Sequence, residues 1–155
     1  MLDDGTTIVE VPAIWRFLEE SHPERPLLGS DATGKALVAM WERRAELDGF
    51  APTMEGVRNS VPGLKGRALS GPHDYEQIPG LVDRSKRRVV NFYADFDARL
   101  GDVPFVAGAD FSAADITAVV TVDFATAALK MAIPEDARAL RRWYETVAAR
   151  PSARA

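Results

Sequence analysis

The chain has 155 residues, 46% of them apolar and 27% charged, with a net charge of −4. That length suits one domain with a sizeable core, and the composition excludes an intrinsically disordered chain. An acidic balance disfavours general nucleic-acid binding, which rests on Lys and Arg.

Asp4-Gly5 is a hairpin turn signal. The β-branched run from Thr6 to Val11 predicts a short strand. Pro12 suits a first helical position, and Ala13, Ile14, Phe17 and Leu18 follow at helical spacing. Ser21-His22-Pro23 ends that helix, because the residue before proline avoids the α region. Pro23 to Ser30 reads as a linker.

Everything beyond the linker reads as helical. Asp31 or Thr33 caps a helix whose apolar stripe is Ala36, Leu37, Met40, Trp41 and Leu47. Gly49 and Pro52 are expected to kink or break it, with a second piece through Met54 and Val57. Residues 61–80 are rich in Gly and Pro and predict a loop. The next helix, about 80 to 100, carries Val82, Val89, Phe92, Tyr93, Phe96 and Leu100 on one face. Its basic cluster, Arg84, Lys86, Arg87 and Arg88, falls mostly off that stripe; a solvated face is favoured over a phosphate-binding patch. From 113 to 130 the sequence is apolar nearly all round, which predicts a central buried helix. Asp123 within it needs hydrogen-bond partners if buried. Pro134 opens the last helix, with Ala137, Leu140, Trp143, Tyr144 and Val147 inward, ending before Pro151.

The fold class expected is therefore all-α over residues 31–155, a helical bundle. A strand-helix segment (1–22) and a linker (23–30) precede it. A lone strand needs sheet neighbours, and no second strand is apparent, so the strand is expected to pair with something outside these residues.

Chemistry is sparsely signalled. The absence of cysteine excludes disulfides, thiolate metal sites and a cysteine nucleophile from these 155 residues, and fits a cytoplasmic protein. His22 and His73 lie far apart beside prolines, so no metal site is expected. No apolar run approaches the ~18 residues of a membrane helix, and the acidic first residues show no secretory signal. No membrane or nucleic-acid partner is expected. Ser112 and Asp115 form a Ser-x-x-Asp arrangement, a shorter variant of the capping box, at the start of the apolar helix. A structural cap is favoured there over catalysis.

Three stretches carry a resemblance: Leu2 to Ile14 with Phe17 to Glu20, Gly108 to Asp115, and Arg142 to Ser152. In order and spacing they resemble a cytosolic glutathione transferase across essentially the whole chain. The resemblance implies a thioredoxin-like domain followed by a helical domain, assembled as a homodimer. It implies glutathione as co-substrate, no metal, and a small electrophile as the second substrate. On that reading residues 1–22 are the end of the thioredoxin-like domain. The family's catalytic Tyr, Ser or Cys and its cis-proline would then lie before Met1, so no catalytic residue is assigned and the chain alone is expected to be inactive.

The family's acidic-hydroxyl pair at the start of the helix after the last strand corresponds to Glu10 and Val11. Glu10 could accept from the γ-glutamyl ammonium of glutathione. Val11 lacks the family's hydroxyl and offers only its backbone N–H. The alternative for Glu10 is a surface carboxylate favoured by the helix dipole. By the same resemblance Arg44 and Asp48 could line the co-substrate cleft; Arg44 lying along Trp41 with its head in water, and Asp48 solvated, is the favoured alternative. Two functions follow: conjugation of glutathione by the full-length protein, or a non-catalytic helical module for binding or assembly.

Overall fold

The computed structural model describes residues 1–153, and those residues contain helices and loops but no strand. Residues 1–10 form a turn closed by Leu2 N–H to the Thr6 carbonyl (2.8 Å) and then an extended run without a ladder. The β-branched composition of Thr6 to Val11 is real, but a ladder needs a second strand, and none is present among the described residues.

Helix α1 (Val11–Ser21) begins one residue before Pro12 and ends where His22-Pro23 forbids continuation. It buries no residue completely. The linker then runs to Asp31, whose carboxylate accepts from the Gly34 N–H at 2.7 Å and caps α2 (Ala32–Arg44). Gly29 crosses the first turn of α2 at φ 96°, where a Cβ would meet Gly34 and Lys35 backbone at 2.5 Å; only glycine fits there.

Of the kink or break expected at Gly49 and Pro52, the break is absent and the distortion is a change of helix type. The helix passes instead through a π-helical turn, Ala45–Phe50, directly into α3 (Ala51–Ser60). Gly49 explains the path. A Cβ on it would stand 2.8 Å from both the Phe92 ring and the Thr121 methyl, so the missing side chain lets three helices meet. The buried face of α2 and this turn is Val38, Trp41 and Ala45. Leu37, Met40 and Leu47, expected inward, are 39%, 46% and 43% exposed.

The loop from 61 to 79 is stitched to the end of α3: Gln77 Nε2 donates to the Arg58 and Val61 carbonyls, each at 2.8 Å, and the Ile78 N–H donates to Asn59 Oδ1 at 2.8 Å. Helix α4 (Gly80–Asp102) presents Val89, Phe92, Tyr93, Phe96 and Leu100 to the core. Phe92 and Phe96 pack at 4.4 Å between centroids, and Trp41 meets Phe96 edge-on at 5.8 Å. The basic residues of α4 lie outside: Arg84 pairs with Glu55 at 2.8 Å and Arg88 donates to the Leu47 carbonyl, while Lys86 and Arg87 face solvent.

Helix α5 (Ala113–Leu129) runs through the centre, with Ala114, Ala118, Val122 and Ala125 buried and an outer strip, Val120, Asp123, Thr126 and Ala127, exposed. It stops at Lys130 in the left-handed conformation. Helix α6 (Arg138–Ala148) closes the bundle through Leu140, Trp143 and Val147. It starts four residues later than Pro134 predicts. The cap comes from outside the segment: Asp97 of α4 accepts from the Leu140 N–H at 2.9 Å.

Candidate functional site

Two places in the fold combine polar groups with unusual backbone or burial. The first is the start of α1. Glu10 stands at φ 73° and ψ 127°, a conformation that non-glycine residues rarely adopt. Holding it there costs ~1–3 kcal/mol, and such residues cluster where a ligand is clamped. Its carbonyl accepts from Ala13 and Ile14, and its side chain is exposed and makes no hydrogen bond among the described residues. Val11, beside it, has no hydroxyl, Pro12 has no N–H, and the side chain of Val11 is 53% exposed. A helix start whose carboxylate and Val11 amide have no partner among the described residues can meet an ammonium and a carboxylate together.

The second is the junction of α5 with its neighbours. Asp115, fully buried, receives four donors: Val106 N–H (2.9 Å) and Trp143 Nε1 (2.8 Å) on Oδ1, Ser112 N–H (2.9 Å) and hydroxyl (3.1 Å) on Oδ2. Burial pushes its carboxyl above the usual range, and the bonds from Val106, Trp143 and Ser112 pull it back. The box therefore ties three segments of chain together: the loop at Val106, the start of α5 and the middle of α6.

Between α1 and α2 runs a groove of about 680 Å³, lined by Pro12, Trp15, Lys35, Ala39, Glu42 and Glu46 among others. Burial, then the charge of Glu46, raises the Glu42 carboxyl, which accepts from the Thr117 hydroxyl at 3.4 Å. Arg44 and Asp48 are not brought into this groove. They pair with each other at 3.6 Å on the other flank of α2, where Arg44 also faces Asp95 of α4 at 4.0 Å and covers the Trp41 ring. Arg99 of α4 covers the same ring, at 4.6 Å.

The comparisons with known proteins agree with this architecture. The family model for "Glutathione S-transferase, C-terminal domain" matches residues 79–146. "Glutathione S-transferase 2" of Saccharomyces cerevisiae is 36% identical over 152 residues, 97% of this chain and 62% of that protein. The crystal structure of Gtt2 from the same yeast superposes with a TM-score of 0.88 at 33% identity, over 99% of this chain and 71% of that one. The chain belongs to the glutathione transferase family. A class Gtt2 glutathione S-transferase of Vibrio parahaemolyticus matches at TM-score 0.82 and 33% identity, over 97% of this chain and 68% of that one. The chain thus spans about three-fifths of the length of the curated yeast relative.

Within this glutathione transferase chain, two contacts are not marked by the sequence. Glu19 on α1 accepts from the Leu27 N–H (2.8 Å) and the Leu28 N–H (2.9 Å) with its two oxygens. Nothing in the local pattern marks that residue, since its partners lie across the linker. Tyr144, expected inward, is half-buried, and its hydroxyl donates to Asp123, which is exposed. That bond, then burial, raises the phenol to about 12.

Proposed function

We propose that the full-length protein conjugates glutathione to a small electrophile, with its catalytic segment lying outside these 155 residues. The reaction joins the glutathione sulfur to an electrophilic carbon. The thiol proton is lost to solvent or a base, and either a leaving group departs or the electron pair moves onto an adjacent acceptor group. Its physical requirement is a thiol pKa lowered from about 8.5, so that thiolate is present near neutrality.

In this reading the start of α1 holds the γ-glutamyl end. The Glu10 carboxylate accepts from the ammonium, and the Val11 N–H donates to the carboxylate. The strained backbone of Glu10 is the observation that carries the assignment, because an ordinary solvated glutamate has no reason to sit at φ 73°. The electrophile is placed in the groove between α1 and α2, whose volume suits a small molecule; Arg44 and Asp48 enter at most as a charged rim beyond it. The capping pair Ser112 and Asp115 is given a structural role. A homodimer working in the cytoplasm completes the proposal; the exposed Leu37 and Met40 on α2 offer apolar surface for such an interface.

The test is a conjugation assay of the full-length protein with glutathione and a chlorodinitrobenzene. Turnover saturable in glutathione is expected. Glu10→Ala should raise KM for glutathione about tenfold or more, since a charge-assisted hydrogen bond is worth ~1.5–3 kcal/mol. Absence of conjugation across several electrophile classes would favour the non-catalytic module. An unchanged KM in Glu10→Ala would remove that residue from the site.

A further inference from the structure

Glu19 and Trp15 are the two residues of α1 that are not exposed, and they are one helical turn apart on one face. α1 therefore rests on the helical body through two side chains. They do different work. Trp15 packs against the core and is non-directional. Glu19 is directional: each carboxylate oxygen takes one amide of two consecutive peptides, Leu27 and Leu28. The Leu27 peptide is itself anchored on its other side, because its carbonyl accepts from the Ala113 N–H at 2.9 Å. Ala113 is the first residue of α5, next to the Ser112–Asp115 box. Hydrogen bonds joined through the backbone at Ser112–Ala113 and Leu27–Leu28 thus connect buried Asp115 through the linker to α1.

We infer that Glu19 is a positioning residue: it sets where α1, and with it the Glu10–Val11 end, lies over the helical body. Without the Glu19 contact α1 pivots on Trp15, five residues or about 7.5 Å from Glu10, so a tilt of roughly 15° would carry Glu10 ~2 Å. A shift of that size is enough to spoil a bound geometry. The consequence for glutathione rests on the assignment of Glu10 given above; the anchoring itself does not.

The experiment compares wild type, Glu19→Ala, Glu19→Gln and Glu10→Ala in the full-length protein, by amide hydrogen exchange and by KM and kcat for glutathione. In Glu19→Ala the Leu27 and Leu28 amides should exchange about tenfold faster or more, while amides in the middle of α5 keep their protection. KM for glutathione should rise several-fold with kcat less affected, and Glu19→Gln, which keeps one acceptor and the same shape, should fall between. Unchanged exchange at Leu27 and Leu28 would overturn the anchoring. Faster exchange, with KM unmoved in Glu19→Ala but raised in Glu10→Ala, would overturn the positioning role. Faster exchange with KM unmoved in Glu10→Ala would sink the assignment of Glu10 and leave the anchoring standing. Should Glu19→Ala fail to fold, Glu19→Gln carries both readouts alone.

Discussion

The first thirty residues and the rest of the chain are both amphipathic, yet they use apolar surface in opposite ways. From α4 onward each helix turns its apolar face inward, and Trp143, Phe92, Phe96, Leu100 and Leu140 are fully buried, while α2 is divided, burying Val38 and Trp41 and leaving Leu37 and Met40 exposed. In α1, Ile14, Phe17 and Leu18 stay substantially exposed, and polar contact at Glu19 supplements one tryptophan. Amphipathic periodicity tells which face of a helix is apolar. Whether that face is covered depends on what else is packed there.

The comparison breaks most sharply in the core. Phe96→Ala should cost ~3–5 kcal/mol by cavity formation, read as a drop in the urea midpoint, whereas Phe17→Ala in α1 should cost under about 1 kcal/mol. Equal losses would mean that α1 is as integral as the bundle. Next comes Asp115→Ala, which strands the buried N–H groups of Val106, Ser112 and Trp143. At ~1–3 kcal/mol per orphaned donor, the expected loss is roughly 3 kcal/mol or more. A smaller effect, Gly49→Ala should cost ~1–3 kcal/mol, because its methyl would meet Phe92 and Thr121. Gly63→Ala, which meets nothing, is the matched control and should stay near neutral by the same unfolding curve.

The smallest effect concerns the outer strip of α5 and is read by pH. Tyr144 in the fold titrates at about 12, above its ordinary value of 10.0. Its contribution to stability is therefore complete below pH 10 and is lost as pH rises through about 12. Asp123→Asn removes the charge that the phenol donates to, so Tyr144 should titrate closer to 10 in an ultraviolet difference titration. Tyr93, raised to about 12 chiefly by burial, also feels the Asp123 charge, as the least of its causes, and should fall by less than Tyr144. A Tyr144 transition unchanged in Asp123→Asn would show that the bond does not set it.

Much of the fold is legible in the sequence. Apolar spacing and the Gly-Pro loop at 61–80 mark the helices of the body within a few residues, and the apolar character of 113–129 marks its centre. The errors share one cause. The inward face of α2 went to the larger side chains, Leu37 and Met40, whereas packing against α4 and α5 selected Val38 and Ala45. The start of α6 followed Pro134, while the true cap is Asp97, 43 residues away. The candidate site is legible to the same depth: a motif marks Glu10 and Val11, helical position marks Arg44 and Asp48, and the packed structure shows Arg44 turned toward Asp95 of α4.

By itself, then, the sequence determined the helical class, the order of the elements and the Ser112–Asp115 box, because propensity, periodicity and capping act within a few residues. Tertiary structure alone decided the π-helical turn at Gly49, the strained backbone of Glu10 and the grip of Glu19 on the linker. The first and the last depend on groups brought together across the chain, where close approach and hydrogen-bond direction prevail over local preference.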